Sequence, residues 1–226
     1  MYDALDRVHD TIKTVHPEFQ LYDAQASCPI SQKECTEGGK SAWNLDKYKF
    51  LNMIVRTWEM RPGMEWYVFA EADTYLVWSN LVTWLRERAD PSEELYVGSV
   101  AQLRGFPFAH GGSGYVMSGA LVKRLVESRP NVGAQFDTIA HKICCGDVLV
   151  ATALDNIGVP VHQALPMFNG EKPNTLPYGP QWCEPLISMH HVNSEEVSAI
   201  WQYEQTRTST VSGNPETKHD TCLTAF

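Results

Sequence analysis

The segment that most constrains this chain is an aromatic and aliphatic run that ends in two carboxylates. Trp66–Ala70 has the composition of a buried strand, and Glu71 and Asp73 follow it directly. Because residues i and i+2 of a strand point to the same face, both carboxylates are expected to project from the strand's carboxyl end. Ligands bind at that end in open α/β sheets, and paired carboxylates suit a hard divalent cation. The alternative is structural, with Asp73 capping the helix that follows, and the segment alone does not decide between them.

Composition excludes several classes of function. A length of 226 residues fits one domain, or one large and one small, and 43% hydrophobic residues support a substantial core. The net charge of -9 argues against nucleic acid or an anionic membrane as the main partner. The sequence has no apolar run of about eighteen residues or more, and its N-terminus does not resemble a signal peptide.

The six cysteines leave the redox compartment open. They contain no C-x-x-C pair, which argues against a zinc knuckle or a thioredoxin-type site. An even count fits a secretory lumen with one to three disulfides, in which Cys28 and Cys35 close a short loop and Cys144 or Cys145 pairs with Cys183. The alternative is a set of reduced, buried thiols in the cytosol.

Periodicity predicts helices that alternate with short strands, and therefore an α/β sheet flanked by helices. Helices are expected over 3–15, 44–55 and 76–88, and from Gly119 and Gly146; strands over 66–70, 95–100, 159–161 and 186–189; and loops over 24–41 and 169–185. Nucleotide-binding α/β folds usually begin with strands that hold the base. The first element predicted here is a helix, so we expect those first strands to be missing. Residues 1–205 are predicted to form one domain and 206–226 a flexible tail.

Three further groups contain residue types that can bind ligands or catalyse reactions. Gly111, Gly112 and Gly114 permit positive φ and close backbone approach to a ligand, although an ordinary tight turn has the same composition. Asp147 stands at a predicted helix start, where it is either an N-terminal cap or a general base. His190-His191 follows a predicted strand, so at most one imidazole is expected to face a site. That histidine either completes a cation site with Asp73 or is structural.

Four segments in consistent order resemble glycosyltransferase family 31, in its fungal branch, which is related to Fringe and the core 1 β1,3-galactosyltransferases. The resemblance is carried by residues 43–51, 71–75, 108–118 and 188–192 and extends over roughly 3–205. It implies a GT-A fold and an inverting, Mn2+-dependent transfer of a hexose or N-acetylhexosamine. The donor would be a UDP-sugar, and the acceptor a glycan or glycoprotein hydroxyl that receives a β1,3 linkage.

The resemblance also assigns roles to individual residues. Glu71-Ala72-Asp73 occupies the position of the family's acidic triplet, with Ala72 departing at its middle position and Asp73 as the metal ligand. Asp147 corresponds to the catalytic base, preceded by Gly146 where the family usually has an acid. His190 corresponds to the metal-binding histidine, with His191 as the alternative register.

In the same resemblance, Gly111, Gly112 and Gly114 correspond to the loop beside the donor and acceptor pocket. The family further implies protein glycosylation in the Golgi or secretory-pathway lumen, with membrane attachment through an N-terminal anchor that is not recognisable in this chain. Two other functions compete with the transferase. One is a non-catalytic carbohydrate-binding relative without a complete donor site, and the other is a glycoside hydrolase that uses Glu71, Asp73 or Asp147 as its carboxylate pair.

Overall fold

A computed structural model describes residues 3–28, 40–172, 175 and 184–211 of the chain. This part begins with four helices, which are followed by groups of strands and helices. The elements are α1 Asp10–Val15, α2 Phe19–Ala26, α3 Lys40–Asp46, α4 Lys49–Met60, β1 Trp66–Phe69, β2 Tyr75–Leu76, α5 Trp78–Arg88, β3 Tyr96–Gly98, β4 Val100–Leu103, β5 Phe106–Ala109, β6 Tyr115–Ser118, α6 Gly119–Ser128, α7 Val132–Ala140, α8 Gly146–Asp155, β7 Val161–Gln163, β8 Ser188–Met189 and α9 Ser194–Val211.

The central sheet is mixed and has the strand order β1-β6-β3-β7. Strand β6 is antiparallel to both β1 and β3, and Tyr115 lies opposite Phe69 on one side and Gly98 on the other. Strand β7 is parallel to β3 and forms the edge opposite β1. Two smaller ladders accompany the sheet, the β4–β5 hairpin and the β2–β8 pair. The predicted α/β class, with a GT-A-like mixed sheet flanked by helices, is confirmed.

Both faces of the sheet are buried. Tyr115 and Met117 of β6 point into the larger hydrophobic cluster, whereas Val116 between them belongs to a second cluster. Helix α4 packs Leu51 and Ile54 into the larger cluster, as the spacing of apolar residues in an amphipathic helix requires. Helix α8 is apolar around most of its circumference and is buried accordingly. The sheet is therefore a central layer, and its strand ends are where side chains become accessible to ligands.

Several predicted helices have different bounds in the structure. The helix expected over 3–15 is confined to Asp10–Val15, because the Asp3 carboxylate accepts the N–H of Leu5 and favours a turn there. The helix expected from Asn44 is divided into α3 and α4. At the division, Glu18 receives both a hydrogen bond from the Tyr48 hydroxyl and an ion pair from Lys47, which are contacts that local periodicity does not encode.

Other elements were not predicted at all. Helices α2 and α7 and strands β2, β5 and β6 lie in segments for which the sequence predicts loops, a helix or nothing. The loop expected over 24–41 overlaps α2 at residues 24–26 and α3 from Lys40, and residues 29–39 lie outside the described part. Of the loop expected over 169–185, the described residues include only 169–172, 175 and 184–185.

The cysteine pairing differs from the prediction. Cys144 and Cys145 are bonded to each other, with Cα atoms 3.8 Å apart, so the expected bond from either of them to Cys183 is wrong. A disulfide between sequence neighbours closes the smallest possible loop, and arguments from cysteine spacing do not consider this pairing. Cys28 is also disulfide-bonded. Cys35 and Cys183 lie outside the described residues, and the Cys28–Cys35 bond stays a prediction.

The C-terminal boundary expected at residue 205 falls within helix α9, which continues to Val211. The division into a domain and a tail therefore stays a prediction, and residues 212–226 lie outside the described part. Among the helices described, none has both the length and the apolar character needed to cross a membrane.

Candidate active site

The two carboxylates that follow β1 lie in a turn and not on the strand. Strand β1 ends at Phe69, and the Thr74 N–H donates to the Glu71 carbonyl at 3.2 Å to close the turn. The strand-alternation argument for their orientation is therefore wrong, although both carboxylates approach one imidazole. Asp73 Oδ1 lies 3.3 Å and Glu71 Oε2 lies 3.7 Å from His190 Nε2. Asp73 does not cap the next helix, whose N-cap position is occupied by Val77.

Main-chain and hydroxyl hydrogen bonds hold the acidic turn against two distant segments. The Val192 N–H donates to the Asp73 carbonyl at 3.0 Å, immediately beyond the β2–β8 ladder. The Thr74 hydroxyl donates to the Gly112 carbonyl at 2.8 Å. These contacts bring the acidic turn, the glycine-rich loop and the His190-His191 segment together.

His190 is the buried centre of this arrangement. It is only 6% exposed, and neither ring nitrogen makes a well-oriented hydrogen bond among the described residues, although a contact with the Gly170 backbone favours its protonated form. A buried polar atom without a partner costs about 1–3 kcal/mol, so such a group requires an explanation. Burial lowers the pKa of His190, and the Asp73 carboxylate opposes that effect only in part. The imidazole is therefore neutral at neutral pH, with a lone pair available to a cation.

His191 faces the same carboxylate as His190. Its Nδ1 lies 3.7 Å from Asp73 Oδ2, whereas Asp73 Oδ1 faces His190. The expectation that at most one of these histidines faces the site is wrong. The expectation fails because His191 adopts a φ of +59°, and side chains therefore stop alternating between the two faces of the strand at this residue.

The glycines of the loop are required by what lies against them. A Cβ at Gly112 would stand 2.2 Å from His190 Cε1, so the imidazole packs directly on the backbone. A Cβ at Gly111 would stand 3.1 Å from Glu71 Oε1. Gly114 adopts a φ of +72°, which side chains disfavour. The loop is therefore more than an ordinary tight turn, since it is fitted to His190 and Glu71.

Asp147 lies in the first turn of α8 and joins the same loop. Its Oδ2 accepts the Gly111 N–H at 3.0 Å and its Oδ1 accepts the Val148 N–H at 2.8 Å. Cys145 occupies the N-cap position, so the capping interpretation of Asp147 is wrong. Asp147 is 8% exposed, and burial raises its pKa while the two backbone hydrogen bonds oppose the rise.

Glu71 lies between the histidines and Asp147. Burial is the main cause that raises its pKa to about 7, and the charges of Asp46, Asp73 and Asp147 add to the effect. The structure thus brings together all the site residues predicted from the sequence. Successive contacts lead from Asp73 to His190, then to Glu71, the glycine-rich loop and Asp147.

The sequence profile of the Fringe-like family matches residues 24–172. This chain belongs to the Fringe-like family. The match includes the acidic turn, the glycine-rich loop and Asp147, and it confirms the predicted relationship to Fringe. Membership indicates a glycosyltransferase. The assignment to the fungal branch stays a prediction.

The donor atoms of this Fringe-like chain fit a divalent cation. Asp73, His190 and His191 each offer one ligand atom, and these atoms all lie within 4.8 Å of one another. A carboxylate combined with neutral imidazoles is a ligand set that divalent transition metals accept. A cation here would also supply a partner for the unsatisfied Nε2 of His190, which is the observation of this structure that tests the fit.

Sequence reasoning missed several residues that shape the site. Thr74 bonds the glycine-rich loop, and the His110 ring accompanies His190 in an edge-to-face contact with centroids 5.6 Å apart. His110 Nδ1 is 2.8 Å from the Ser113 hydroxyl, and the buried Ser188 hydroxyl donates to the Ser113 carbonyl. His110 and Ser113 stand inside the glycine-rich run, and Thr74 and Ser188 stand inside two other segments that carry the family resemblance, but no pattern assigned a role to any of them.

Proposed function

We propose that this Fringe-like chain is a divalent-metal-dependent, inverting glycosyltransferase. It transfers a hexose or N-acetylhexosamine from a UDP-sugar to a hydroxyl of a glycan or glycoprotein, with the β1,3 linkage that the family resemblance implies. The observation that supports this most strongly is the buried His190, whose unsatisfied nitrogens lie between Asp73 and the loop that bonds Asp147.

In this proposal Asp73 and His190 hold the cation, with Mn2+ as the preferred ion. When bound, such a cation acts as a Lewis acid that neutralises negative charge on the leaving diphosphate. Gly111, Gly112 and Gly114 form a buried loop that supports His190 and Glu71 beside the donor and acceptor surface. Glu71 lines the same surface, and its raised pKa leaves it partly protonated near neutral pH, so that it adds less negative charge beside an anionic donor.

Asp147 is the proposed general base. The Gly111 and Val148 N–H groups each bond one of its oxygens and so fix the orientation of the carboxylate. Each oxygen keeps a further lone pair, and one of these accepts the proton of the acceptor hydroxyl as that hydroxyl attacks the anomeric carbon. Burial makes Asp147 a stronger base than a free aspartate, because its conjugate acid holds the proton more tightly. A single displacement inverts the anomeric configuration and requires no covalent protein nucleophile.

The working compartment in this proposal is the Golgi or secretory-pathway lumen, as is typical of Fringe-like proteins. The disulfides at Cys28 and at Cys144–Cys145 support an oxidising compartment, because disulfides are rare in the cytosol.

Calorimetric titration with UDP, in the presence and absence of Mn2+, tests the donor site. We expect metal-dependent binding that Asp73→Ala abolishes and Asp155→Ala retains, since Asp155 is exposed at the far end of α8. Asp147→Asn should bind UDP and fail to transfer sugar. Absence of UDP binding in folded protein would contradict the transferase and favour the non-catalytic relative. Metal-independent release of free sugar would favour the hydrolase.

A further inference from the structure

We infer that His191 is a second imidazole ligand of the cation site, so that two histidines and Asp73 hold the ion together. This inference rests on the proposed metal-dependent function and goes beyond it, because the family resemblance supplies a single histidine. The sequence offers His190 or His191 as alternative metal ligands, whereas in the structure both imidazoles face the Asp73 carboxylate.

The backbone of His191 is held in an uncommon conformation. Within the described ranges, positive φ at a residue other than glycine occurs at Arg104, Asn131 and His191. Arg104 precedes Gly105 in the β4–β5 turn, and asparagine tolerates this region, whereas His191 follows a strand. The left-handed conformation costs about 1–2 kcal/mol, and its neighbour Val192 fixes it through a buried side chain and the hydrogen bond to the Asp73 carbonyl.

This conformation places two adjacent imidazoles side by side. The rings of His190 and His191 have centroids 3.8 Å apart and an interplanar angle of 31°. In a continuing strand they would point to opposite faces. The turn at His191 therefore converts an alternating pair into two nitrogen donors on the same side of the chain.

The two nitrogens address different oxygens of one carboxylate. His190 Nε2 is 3.3 Å from Asp73 Oδ1, and His191 Nδ1 is 3.7 Å from Asp73 Oδ2. Ligands that each lie about 2.1 Å from one ion are separated from one another by roughly 3–4 Å. These contacts match that spacing.

The environments of the two histidines differ in a way that suits a substrate-binding cation. The His190 side chain is 8% exposed and its nitrogens are unsatisfied, so it anchors the buried side of the site. The His191 side chain is 58% exposed, so the site opens to solvent where a donor must enter.

A second imidazole changes which ions the site prefers. Imidazole suits transition metals, whereas Mg2+ and Ca2+ favour oxygen ligands. The chain is therefore expected to bind Mn2+ and Co2+ more tightly than Mg2+, and His191 should contribute to that preference.

The test counts the nitrogens bound to the metal. Pulsed EPR of the wild-type chain with Mn2+ alone should show couplings from two imidazole nitrogens, and His191→Gly should show one. Glycine is the informative substitution because it accepts a φ of +59° without strain while removing the imidazole. The Mn2+ dissociation constant should rise at least about tenfold in His191→Gly. His162→Ala is the matched control, because His162 is exposed on β7 at the sheet edge opposite β1.

The outcomes separate this inference from the proposed function. One coupled nitrogen in the wild type, with Mn2+ affinity unchanged in His191→Gly, overturns the second ligand and leaves the Asp73–His190 site intact. No Mn2+ binding by the wild type, or Mn2+ binding that survives Asp73→Ala, overturns both. Two coupled nitrogens that fall to one in His191→Gly establish the pair.

Discussion

The main-chain N–H of Gly111 donates a hydrogen bond to Oδ2 of Asp147 at 3.0 Å, across 36 positions of sequence. This contact joins the glycine-rich loop, which packs on His190, to the first turn of α8. The carboxylate therefore has a fixed position relative to the cation site, although the two lie on separate elements. In the proposed function, proton acceptance by Asp147 is therefore separable from cation binding by Asp73 and His190.

Replacement of Asp147 by asparagine should remove the proposed base and leave donor binding intact. Asparagine retains an oxygen that can accept the Gly111 N–H, so the loop should keep its position. We expect kcat for sugar transfer to fall about 10²–10⁴-fold, with UDP–Mn2+ affinity within about threefold of wild type. Steady-state transfer assays and calorimetry on the same preparation measure both quantities, and a near-normal kcat would exclude Asp147 as the base.

The pH dependence of the wild type follows from the direction of the Asp147 shift. The base must be ionised to accept a proton, and burial raises its pKa above the ordinary aspartate value of 3.8. Activity should therefore increase with pH through an acidic limb that lies higher than for a free aspartate. Residual activity of Asp147→Asn should lack this limb, so an identical limb in wild type and variant would assign it to another group.

Gly112→Ala should disrupt the cation site through direct steric contact. The new Cβ would stand 2.2 Å from His190 Cε1, and real Cβ contacts are never so short, so the imidazole must move. We expect Mn2+ affinity to fall at least about tenfold, by analogy with loss of a group that orients a metal ligand. Gly105→Ala is the comparison, because it has positive φ but no neighbour within 4 Å, and it should retain Mn2+ binding. Equal loss in both variants would mean that the loss does not depend on contact with His190.

Local patterns in the sequence were sufficient for part of this fold. Strand β1 was predicted from its apolar run, and helices α6 and α8 were expected where Gly119 and Gly146 begin them. These elements depend mainly on short-range periodicity and composition. Strand β2 was missed because its two residues are defined by their pairing with β8, which is 112 residues away at the Leu76–Ser188 pair.

The site was nominated from sequence, but its geometry was not. Glu71 and Asp73 were expected together because of strand alternation, yet a turn and a hydrogen bond from Val192 bring them to His190. The positive φ of His191 could not be predicted from the sequence, because most histidines adopt negative φ even though histidine tolerates this region better than most residues. Contacts between distant segments therefore determine how the nominated residues face one another.

The buried carboxyl group of Asp137 predicts that folding stability changes with pH. Asp137 is 1% exposed, and burial raises its pKa to about 6, against an opposing hydrogen bond from Asn52. Between pH 4 and 6 the folded chain thus binds more protons than the unfolded chain, so this group's contribution to stability falls as pH rises and levels off above about pH 6. Asp137→Asn should remove that contribution. The difference in the free energy of unfolding between the variant and the wild type should therefore be about 2 kcal/mol more favourable to the variant at pH 7 than at pH 4.

Urea unfolding of wild type and Asp137→Asn at several pH values measures this effect. Only the difference between the two proteins is informative, because other groups titrate in both. A difference that is constant from pH 4 to 7 would show that Asp137 does not titrate in this range.

The bond between Cys144 and Cys145 predicts a simple covalent result. Both residues stand immediately before Gly146 and Asp147, so the bond constrains the segment that enters α8. Proteolysis without reduction should yield a peptide spanning both cysteines that is lighter by two hydrogens than the same peptide after reduction, and that is not linked to the Cys183 peptide. The matched Cys144→Ser variant, alkylated without reduction, should carry label on Cys145. A peptide that joins either residue to Cys183 would restore the pairing expected from sequence and contradict the structure at the entry to α8.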